Sequence, residues 1–388
     1  MWRDYFGDCV VVQGTTYDFG WGWTGWTRDI AQQALPLART NPALARSALR
    51  YILKRYTPDG ESKPADSGYG YVMSTAWSPS DMQLYTFMFA AEYLRHTNDA
   101  SILSERIAWH PLHLGATGTG LEHLDAAFRF ARDRVGVGEH GLMRMWNSDW
   151  NDMFYYAQHT APYAVTWGSA ESHLNTALAI VVLGRFAPEL DRLSPHARPL
   201  ATAMRAWRAE LLGAFMRDMS ERDFPRRAYL GPDGAVGEAE MWLEPAAFAL
   251  MIPELGLPRR RRIADALFAR LADAEPLGLR QIERAKAFHD LKPGEREDGG
   301  IWYALTGPAI LGLLEFDPPR ARDLMRRWSY ANFARVHPGV WTGAWSASDS
   351  LDSERLSTGG TSINPPWCAH AHAWPLHAYL ESVAGVPA

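Results

Sequence analysis

Apolar residues recur at helical spacing along almost the whole chain, whereas the alternating pattern of β-strands is rare. Asn41-Pro42 supplies a capping residue and a first-turn proline ahead of one periodic segment. In another, residues 121–135, Leu124 and Phe128 lie on one apolar stripe. Further helices are predicted over residues 79–97, 170–186, 195–216, 245–252, 259–272, 302–316, 319–333 and 366–382.

These ten or so helices are joined by loops rich in glycine and aromatic residues, which favours an all-α fold of the (α/α)6 barrel type. A helical solenoid is the alternative, although no short repeat is visible. No linker divides the chain, so residues 1–388 are expected to form a single domain. Barrel loops carry functional residues at one end. The loops expected to form the rim of one pocket are residues 15–27, 143–156, 294–303 and 337–366.

The composition excludes several classes of partner. Apolar residues make up 47% of the chain, charged residues 21%, and the formal net charge is −5. The chain has no basic stripe that would suit nucleic acid and no apolar run long enough to span a membrane. The two cysteines match no metal spacing and, with no signal peptide at the start, predict a reducing, cytoplasmic location.

The chain contains 17 tryptophans, and their flat apolar faces suit the C–H faces of sugar rings. A single tryptophan is more often part of a core. Those in glycine-rich loops are harder to explain in that way, and they favour a small sugar as the ligand. They are Trp21, Trp23, Trp26, Trp341 and Trp345.

Two carboxylates flank an indole in the segment Asp149-Trp150-Asn151-Asp152. A carboxyl group beside an indole is partly desolvated, which raises its pKa and keeps it protonated. A glycosidase general acid needs this property. The alternative is that both aspartates simply cap a helix.

Residues 148–153, Ser-Asp-Trp-Asn-Asp-Met after Gly141-Leu142, resemble the Gly-Asp-Trp-Asn-Asp-Gly motif of glycoside hydrolase family 94, inverting phosphorylases of β-linked sugars. The resemblance makes Asp152 the catalytic acid and Trp150 a sugar contact, and we expect Asp149 to help bind the substrate. Arg28-Asp29, followed by Gln32, resembles a family segment whose aspartate contacts the donor sugar, which implies substrate binding by Arg28 and Asp29.

Residues 297–301, Glu-Asp-Gly-Gly-Ile, resemble a further family segment and imply that Arg296 and Glu297 face the substrate. Thr342 and Gly343 resemble the family's phosphate loop. The resemblance covers about residues 14–350. It implies an (α/α)6 barrel, inversion of configuration, no metal and no cofactor, with inorganic phosphate as a co-substrate.

The chain departs from the family at two places. Ala304 occupies the position of the family's phosphate-binding histidine. The family's N-terminal β-sandwich, which helps to build the site across a dimer, is expected to be absent. The oligomeric state therefore stays open, with a homodimer among the alternatives.

The attacking group is the least determined part of the prediction. An intact acid motif favours phosphorolysis, whereas Ala304 favours hydrolysis by water with Glu297 or Asp349 as the base. A sugar-binding relative without activity is the third alternative. A metal at His370, His372 and His377 is not expected, because helix positions two apart do not face each other.

Overall fold

The computed structural model describes residues 27–63, 79–156, 168–231, 234–272, 275–286, 291–338, 350–353, 363–364 and 369–384. Every structural statement below concerns these residues. None of their helices is long and apolar enough to cross a bilayer.

Six helices pack side by side and form the inner ring of the molecule. Each packs against the next in the order α1, α3, α5, α7, α9 and α12, and α12 packs against α1. The ring is therefore closed, which a solenoid would not be. The inner helices are α1 (Thr27–Ala34), α3 (Met82–Thr97), α5 (His173–Leu193), α7 (Leu243–Ala249), α9 (Tyr303–Leu314) and α12 (Ala369–Ala384).

The other helices lie outside the inner ring. They are α2 (Pro42–Leu53), α4 (Gly120–Arg129), α6 (Arg198–Asp218), α8 (Leu257–Leu267), α10 (Pro318–Arg327) and α11 (Tyr330–Val336). Helix α2 packs on α1 and α3, α6 on α5, α8 on α7, and α10 on α9. Inner and outer helices alternate along the chain as far as α10, and α11 follows as a second outer helix before α12. This arrangement confirms the prediction of an all-α (α/α)6 barrel.

Short antiparallel strands tie the loops together in three small sheets. The strand orders are β1–β2, β3–β4–β5 and β6–β7–β8. The strands are β1 (Arg106–Ala108), β2 (Thr117–Thr119), β3 (Glu171–Ser172), β4 (Ala228–Tyr229), β5 (Ala235–Val236), β6 (Ile301–Trp302), β7 (Ser350–Leu351) and β8 (Ile363–Asn364). Strands β3 and β6 directly precede α5 and α9, so they fix where these inner helices begin.

Two helix predictions differ from the structure. A single helix over residues 319–333 is wrong, because α10 ends at Arg327 and the Ser329 hydroxyl accepts a hydrogen bond from Asn332 N to start α11. The helix predicted to end at residue 186 continues to Leu193 through Pro188. Other boundaries differ by a few residues, as is usual for helix ends.

A buried tryptophan closes the inner ring between its last and first helices. Trp374 of α12 is 1% exposed, and its indole Nε1 donates a 2.9 Å hydrogen bond to Oε1 of Gln32 in α1. On its other side the ring system lies against Gly307 of α9, where a Cβ atom would overlap Cε3 and Cδ2 of the indole. The glycine therefore gives the tryptophan the space it needs.

An ion-pair cluster also joins α12 to the first inner helices. Arg39 donates a 2.6 Å bond to Glu381, and His96 lies 3.1 Å from Glu92. The ligand atoms of Glu92, Glu381 and His377 lie within 4.8 Å of one another. Since Arg39 and His96 already compensate both carboxylates, we interpret the group as an ion-pair cluster. The expectation of no metal stays a prediction.

We predict that Gly307→Ala lowers the free energy of unfolding by about 1–3 kcal/mol, because the new methyl group displaces Trp374 and strains its bond to Gln32. The matched control is Gly213→Ala in the outer helix α6, where a Cβ would approach only Arg217 Nη1, at 3.5 Å. The control should be neutral or stabilising by up to about 1 kcal/mol. Urea unfolding measures both. Equal effects of the two changes would contradict the role of Gly307.

Candidate active site

The N-terminal ends of five inner helices converge at one end of the ring, which we call the mouth. Arg28 lies in the first turn of α1, and Asp81 directly precedes α3. Ser172 precedes α5, Glu244 lies in the first turn of α7, and Trp302 precedes α9. All five side chains contact residues 143–152, here called the acid loop, or one another, so a single loop is held by most of the ring.

Backbone and side-chain bonds hold the acid loop in place. Met145 N donates to the carbonyl of Ala170 at 2.8 Å, and Ser80 N donates to the carbonyl of Ser148 at 3.0 Å. The Ser80 hydroxyl donates to the carbonyl of Met145 at 2.7 Å. The loop is therefore positioned from the segments that precede α3 and α5.

Asp152 ends the acid loop and is held by a buried arginine. Arg28 Nη2 donates to Asp152 Oδ1 at 2.7 Å, and Arg28 Nη1 lies 3.3 Å from Asp81 Oδ2. Asp29 is 4.0 Å from Arg28 Nε. The Asp152 side chain remains 28% exposed, against 7% for that of Arg28. Asp152 is thus accessible from the mouth while its partner is not.

Burial raises the pKa of Asp152 to about 6, because removal of water disfavours the carboxylate. The positive charge of Arg28 and its hydrogen bond oppose this increase, Asp29 adds to it, and Arg296 opposes it. The opposite charges are thus insufficient to overcome desolvation. At neutral pH a larger fraction of Asp152 therefore carries a proton than at the usual aspartate pKa, which favours a role as general acid.

Asp149 lies below the surface of the site. Its side chain is fully buried, and Arg227 donates to both of its oxygens at 2.6 and 2.7 Å. The Ser172 hydroxyl donates to Oδ2 at 2.5 Å, and Asn151 N donates to Oδ1 at 3.0 Å. The carboxylate was expected to bind the substrate. In this structure it instead holds the acid loop to the segment that precedes α5.

The buried network continues from Arg227 to the start of α7. Its guanidinium lies 3.3 Å from Glu244 Oε1 and 4.6 Å from the ring centre of Phe154. Asn151 and Gln281 also donate to Glu244 Oε1, at 3.1 and 2.9 Å. Burial lowers the pKa of Arg227, but Asp149 and Glu244 outweigh this effect and leave it raised. Arg227 is therefore a fixed cation below the acid loop.

An aromatic pair connects the acid loop to the segment before α9. Trp150 meets Trp302 edge to face, with ring centres 4.8 Å apart. Trp302 Nε1 donates to the carbonyl of Arg296 at 2.9 Å, and Arg296 Nη2 lies 3.3 Å from Glu297 Oε1. The two predicted segments therefore lie side by side, since Trp150 contacts Trp302 and Trp302 bonds to Arg296. Trp150 itself is only 6% exposed.

Several predicted site residues lie outside the described residues. Ala304, at the family's histidine position, is described and is buried in the first turn of α9. The predictions for the phosphate loop, the second base candidate, the loop tryptophans and the first two histidines of α12 stay predictions. These are Thr342, Gly343, Asp349, Trp21, Trp23, Trp26, Trp341 and Trp345, and the side chains of His370 and His372.

Sequence reasoning missed Asp81, Arg227 and Glu244. Asp81 lies two residues after Pro79 and directly before an apolar helix, a position that suggests an N-cap. Its side chain, however, makes no capping bond and instead bonds to Arg28. Arg227 is one of two adjacent arginines in a loop, and only its fully buried position distinguishes it. Neither the residue type of Arg227 nor its spacing from other residues in the sequence indicates that it is buried.

Residues 12–302 match the family described as the glycosyl hydrolase 94 superfamily, catalytic domain. The chain belongs to this family. It is therefore a member of a carbohydrate-active enzyme family, as the acid-loop motif predicted, and the match includes Arg28, Asp152 and Glu297.

One similar protein is a solabiose phosphorylase of Paenibacillus borealis, 30% identical over 131 residues. That match covers 32% of this chain and 15% of the phosphorylase. A rhamnosidase from Klebsiella oxytoca, solved with rhamnose bound, is 16% identical with a TM-score of 0.56, over 93% of this chain and 58% of that one. A cellobiose 2-epimerase from Spirochaeta thermophila has 14% identity and a TM-score of 0.57, over 94% and 87%. The two structures support the fold alone.

We predict that Arg227→Met lowers the free energy of unfolding by about 3–5 kcal/mol, because it leaves Asp149 charged, buried and without its main partner. Adding Asp149→Asn should restore part of the loss. The control is Arg320→Met, which removes an exposed pair with Asp265 and should cost at most about 1 kcal/mol. Urea unfolding gives all values. A loss for Arg227→Met as small as the control's would contradict the buried network.

Proposed function

We propose that this protein cleaves the β-glycosidic bonds of gluco-disaccharides or oligosaccharides by phosphorolysis with inversion, with Asp152 as the general acid. The proposal rests on the state of the Asp152 carboxyl group. This group is accessible from the mouth and bonds to Arg28, and burial raises its pKa to about 6. The similarity to a solabiose phosphorylase supports phosphate as the acceptor.

In the proposed reaction Asp152 gives its proton to the glycosidic oxygen as the bond from that oxygen to C1 breaks. An oxygen of inorganic phosphate forms the new bond to C1 from the opposite face, which inverts the configuration. The products are an α-sugar 1-phosphate and the shortened sugar. Because phosphate is itself a nucleophile, this route needs only one catalytic carboxylate.

A partly exposed arginine supports an anionic co-substrate. Arg296 is 37% exposed, and its positive charge lowers the pKa of Asp152. Guanidinium groups bind phosphate oxygens in pairs. We propose that Arg296 contributes to phosphate binding in place of the histidine replaced by Ala304. Arg28, Asp29 and Glu297 are the proposed sugar contacts.

Inverting hydrolysis is the second candidate, and Ala304 favours it because the buried methyl group cannot bind phosphate. This route requires a base about 6.5–9.5 Å from the acid, with water between them. Glu297 is the described candidate. Its carboxylate lies 3.3 Å from Arg296 Nε.

The test is to incubate the protein with β-linked glucose disaccharides with and without phosphate and to follow the products by NMR. An α-sugar 1-phosphate that forms only with phosphate supports phosphorolysis. Free sugar released at the same rate without phosphate supports hydrolysis and refutes the proposal. Binding by calorimetry without any product would indicate a sugar-binding relative instead.

We predict that Asp152→Asn lowers turnover by about 10²–10⁴-fold, because the leaving oxygen would depart without a proton. Sugar binding and fold should remain. The control is Asp133→Asn, which changes an exposed aspartate paired with Arg132 and should leave turnover unchanged. Initial rates and calorimetry measure both variants. Near-normal turnover of Asp152→Asn would exclude it as the acid.

We also predict that turnover falls as the pH rises through about 6. Asp152 must be protonated to act as the acid. The protonated fraction of the enzyme therefore decreases as the pH rises above the raised pKa of Asp152. The measurement is kcat/KM across pH 4.5–9 in buffers of constant ionic strength. A rate that stays flat to pH 9 would show that the proton comes from another group.

A further inference from the structure

We propose that a cavity beside the mouth, lined by three arginines, binds the phosphate group of a small molecule, either a phosphorylated sugar or free phosphate. Its volume is about 480 Å³, and sites for small molecules usually measure roughly 300–1,000 Å³. The lining includes Arg326, Arg327, Arg335, Asn332 and Pro276. None of these residues belongs to the group around Asp152, so the inference does not depend on the proposed reaction.

An aromatic contact places the cavity beside the mouth. The inner helix α9 begins at the mouth, and its first residue, Tyr303, stacks on Trp328 with ring centres 5.2 Å apart. Trp328 directly follows α10 and lies in the chain between Arg327 and Ser329, which both line the cavity. A ligand in the cavity is therefore held on the outer side of α9, near its mouth end.

Arg327 is held in place by groups of the protein itself. Its Nη1 donates to the carbonyls of Ala272 and Glu275 at 3.0 and 3.3 Å. Its Nε lies 2.8 Å from Asp323 Oδ2. These contacts tie the end of α10 to the segment that follows α8. A guanidinium that is already oriented loses less conformational entropy when it binds an anion.

Arg335 is also held by neighbouring groups, but it has no carboxylate partner among the described residues. Its Nε and Nη2 donate to Asn332 Oδ1 at 3.2 and 2.8 Å. Asn332 Nδ2 donates in turn to the carbonyls of Pro276 and Arg327, at 2.9 and 2.7 Å. Because a neutral amide does not compensate a guanidinium, Arg335 presents its full positive charge at the cavity.

The charges at the cavity are unbalanced. Arg326 and Arg327 both pair with Asp323, whereas Arg335 adds a third guanidinium. No described lining residue is acidic. Three guanidinium groups thus face one carboxylate, which leaves an excess of two positive charges. A phosphate monoester carries about −1.5 to −2 charge near neutral pH, and guanidinium groups bind its oxygens in pairs.

The size and lining of the cavity suit more than a phosphate ion. Free phosphate would fill only part of the volume, and Pro276 and Ala331 add apolar surface beside the arginines. Small-molecule sites commonly combine apolar surface with a few polar groups that orient the ligand. A phosphorylated sugar can use both kinds of surface, so it should bind more tightly than phosphate alone.

The test is isothermal titration calorimetry with glucose 1-phosphate, inorganic phosphate and glucose. Arg335→Met removes the uncompensated charge without breaking an ion pair among the described residues. We expect it to weaken the binding of glucose 1-phosphate at this site by about tenfold or more, because charged hydrogen bonds are lost. Arg326→Met, whose side chain is 77% exposed, is a second variant in case Arg335→Met does not fold.

The matched control is Arg322→Met, which changes another exposed arginine of α10 that is not among the described lining residues. It should leave binding unchanged. A further pair of variants separates the cavity from the proposed active site. In protein that carries Arg296→Met, binding at the mouth should weaken, and the phosphate binding that remains should be lost when Arg335→Met is added.

Binding of glucose 1-phosphate or phosphate that weakens in Arg335→Met or Arg326→Met, but not in Arg322→Met, supports the proposal. Tighter binding of glucose 1-phosphate than of phosphate identifies a phosphorylated sugar as the ligand, and equal binding identifies free phosphate. Binding that does not depend on the cavity arginines, or glucose that binds as tightly as glucose 1-phosphate, would overturn the proposal. If the protein turns over no sugar, the proposed function fails, while these titrations still decide whether the cavity binds phosphate.

Discussion

The bond network of Arg28 is the interaction on which the candidate site depends. It joins the first inner helix to the residue that precedes the second and to the end of the acid loop. It also donates to the carbonyl of Asp149 at 3.2 Å. A guanidinium can serve these acceptors together because its N–H donors diverge in a fixed plane. A lysine, with one compact charge, could not hold the same three positions.

A second buried arginine, Arg227, holds the same acid loop through the side chain of Asp149. Arg227 fixes Asp149 and Glu244, which in turn hold the acid loop and Asn151. Buried ion pairs of this kind add little net stability, because desolvation offsets most of the attraction. Their contribution is geometric, since several donors together fix the direction of each carboxylate. The site thus depends on two buried arginines. Arg28 bonds to the accessible Asp152, and Arg227 bonds to the buried Asp149.

The ring accounts for why these groups meet. Five inner helices begin at the mouth, so the residues at these helix starts lie close together although the chain separates them by fifty residues or more. Short strands before α5 and α9 determine where those helices begin. Helix N-termini also carry partial positive charge, which favours carboxylates and phosphate at this end. The same architecture therefore positions the proposed acid and is compatible with the proposed anionic co-substrate.

The sequence by itself determined the helical fold class, the acid-loop motif and the family, because periodicity and a short contiguous motif are local properties. Arg28, Asp152 and the segment at Arg296 were also predicted, since each lies in a recognisable stretch. Only the tertiary structure decided that Asp149 is buried against Arg227 and that Asp81 shares Arg28 with Asp152. These pairings join residues 53 to 124 positions apart. The closure of the helix ring brings these partners together. No local pattern in the sequence indicates which residues will meet.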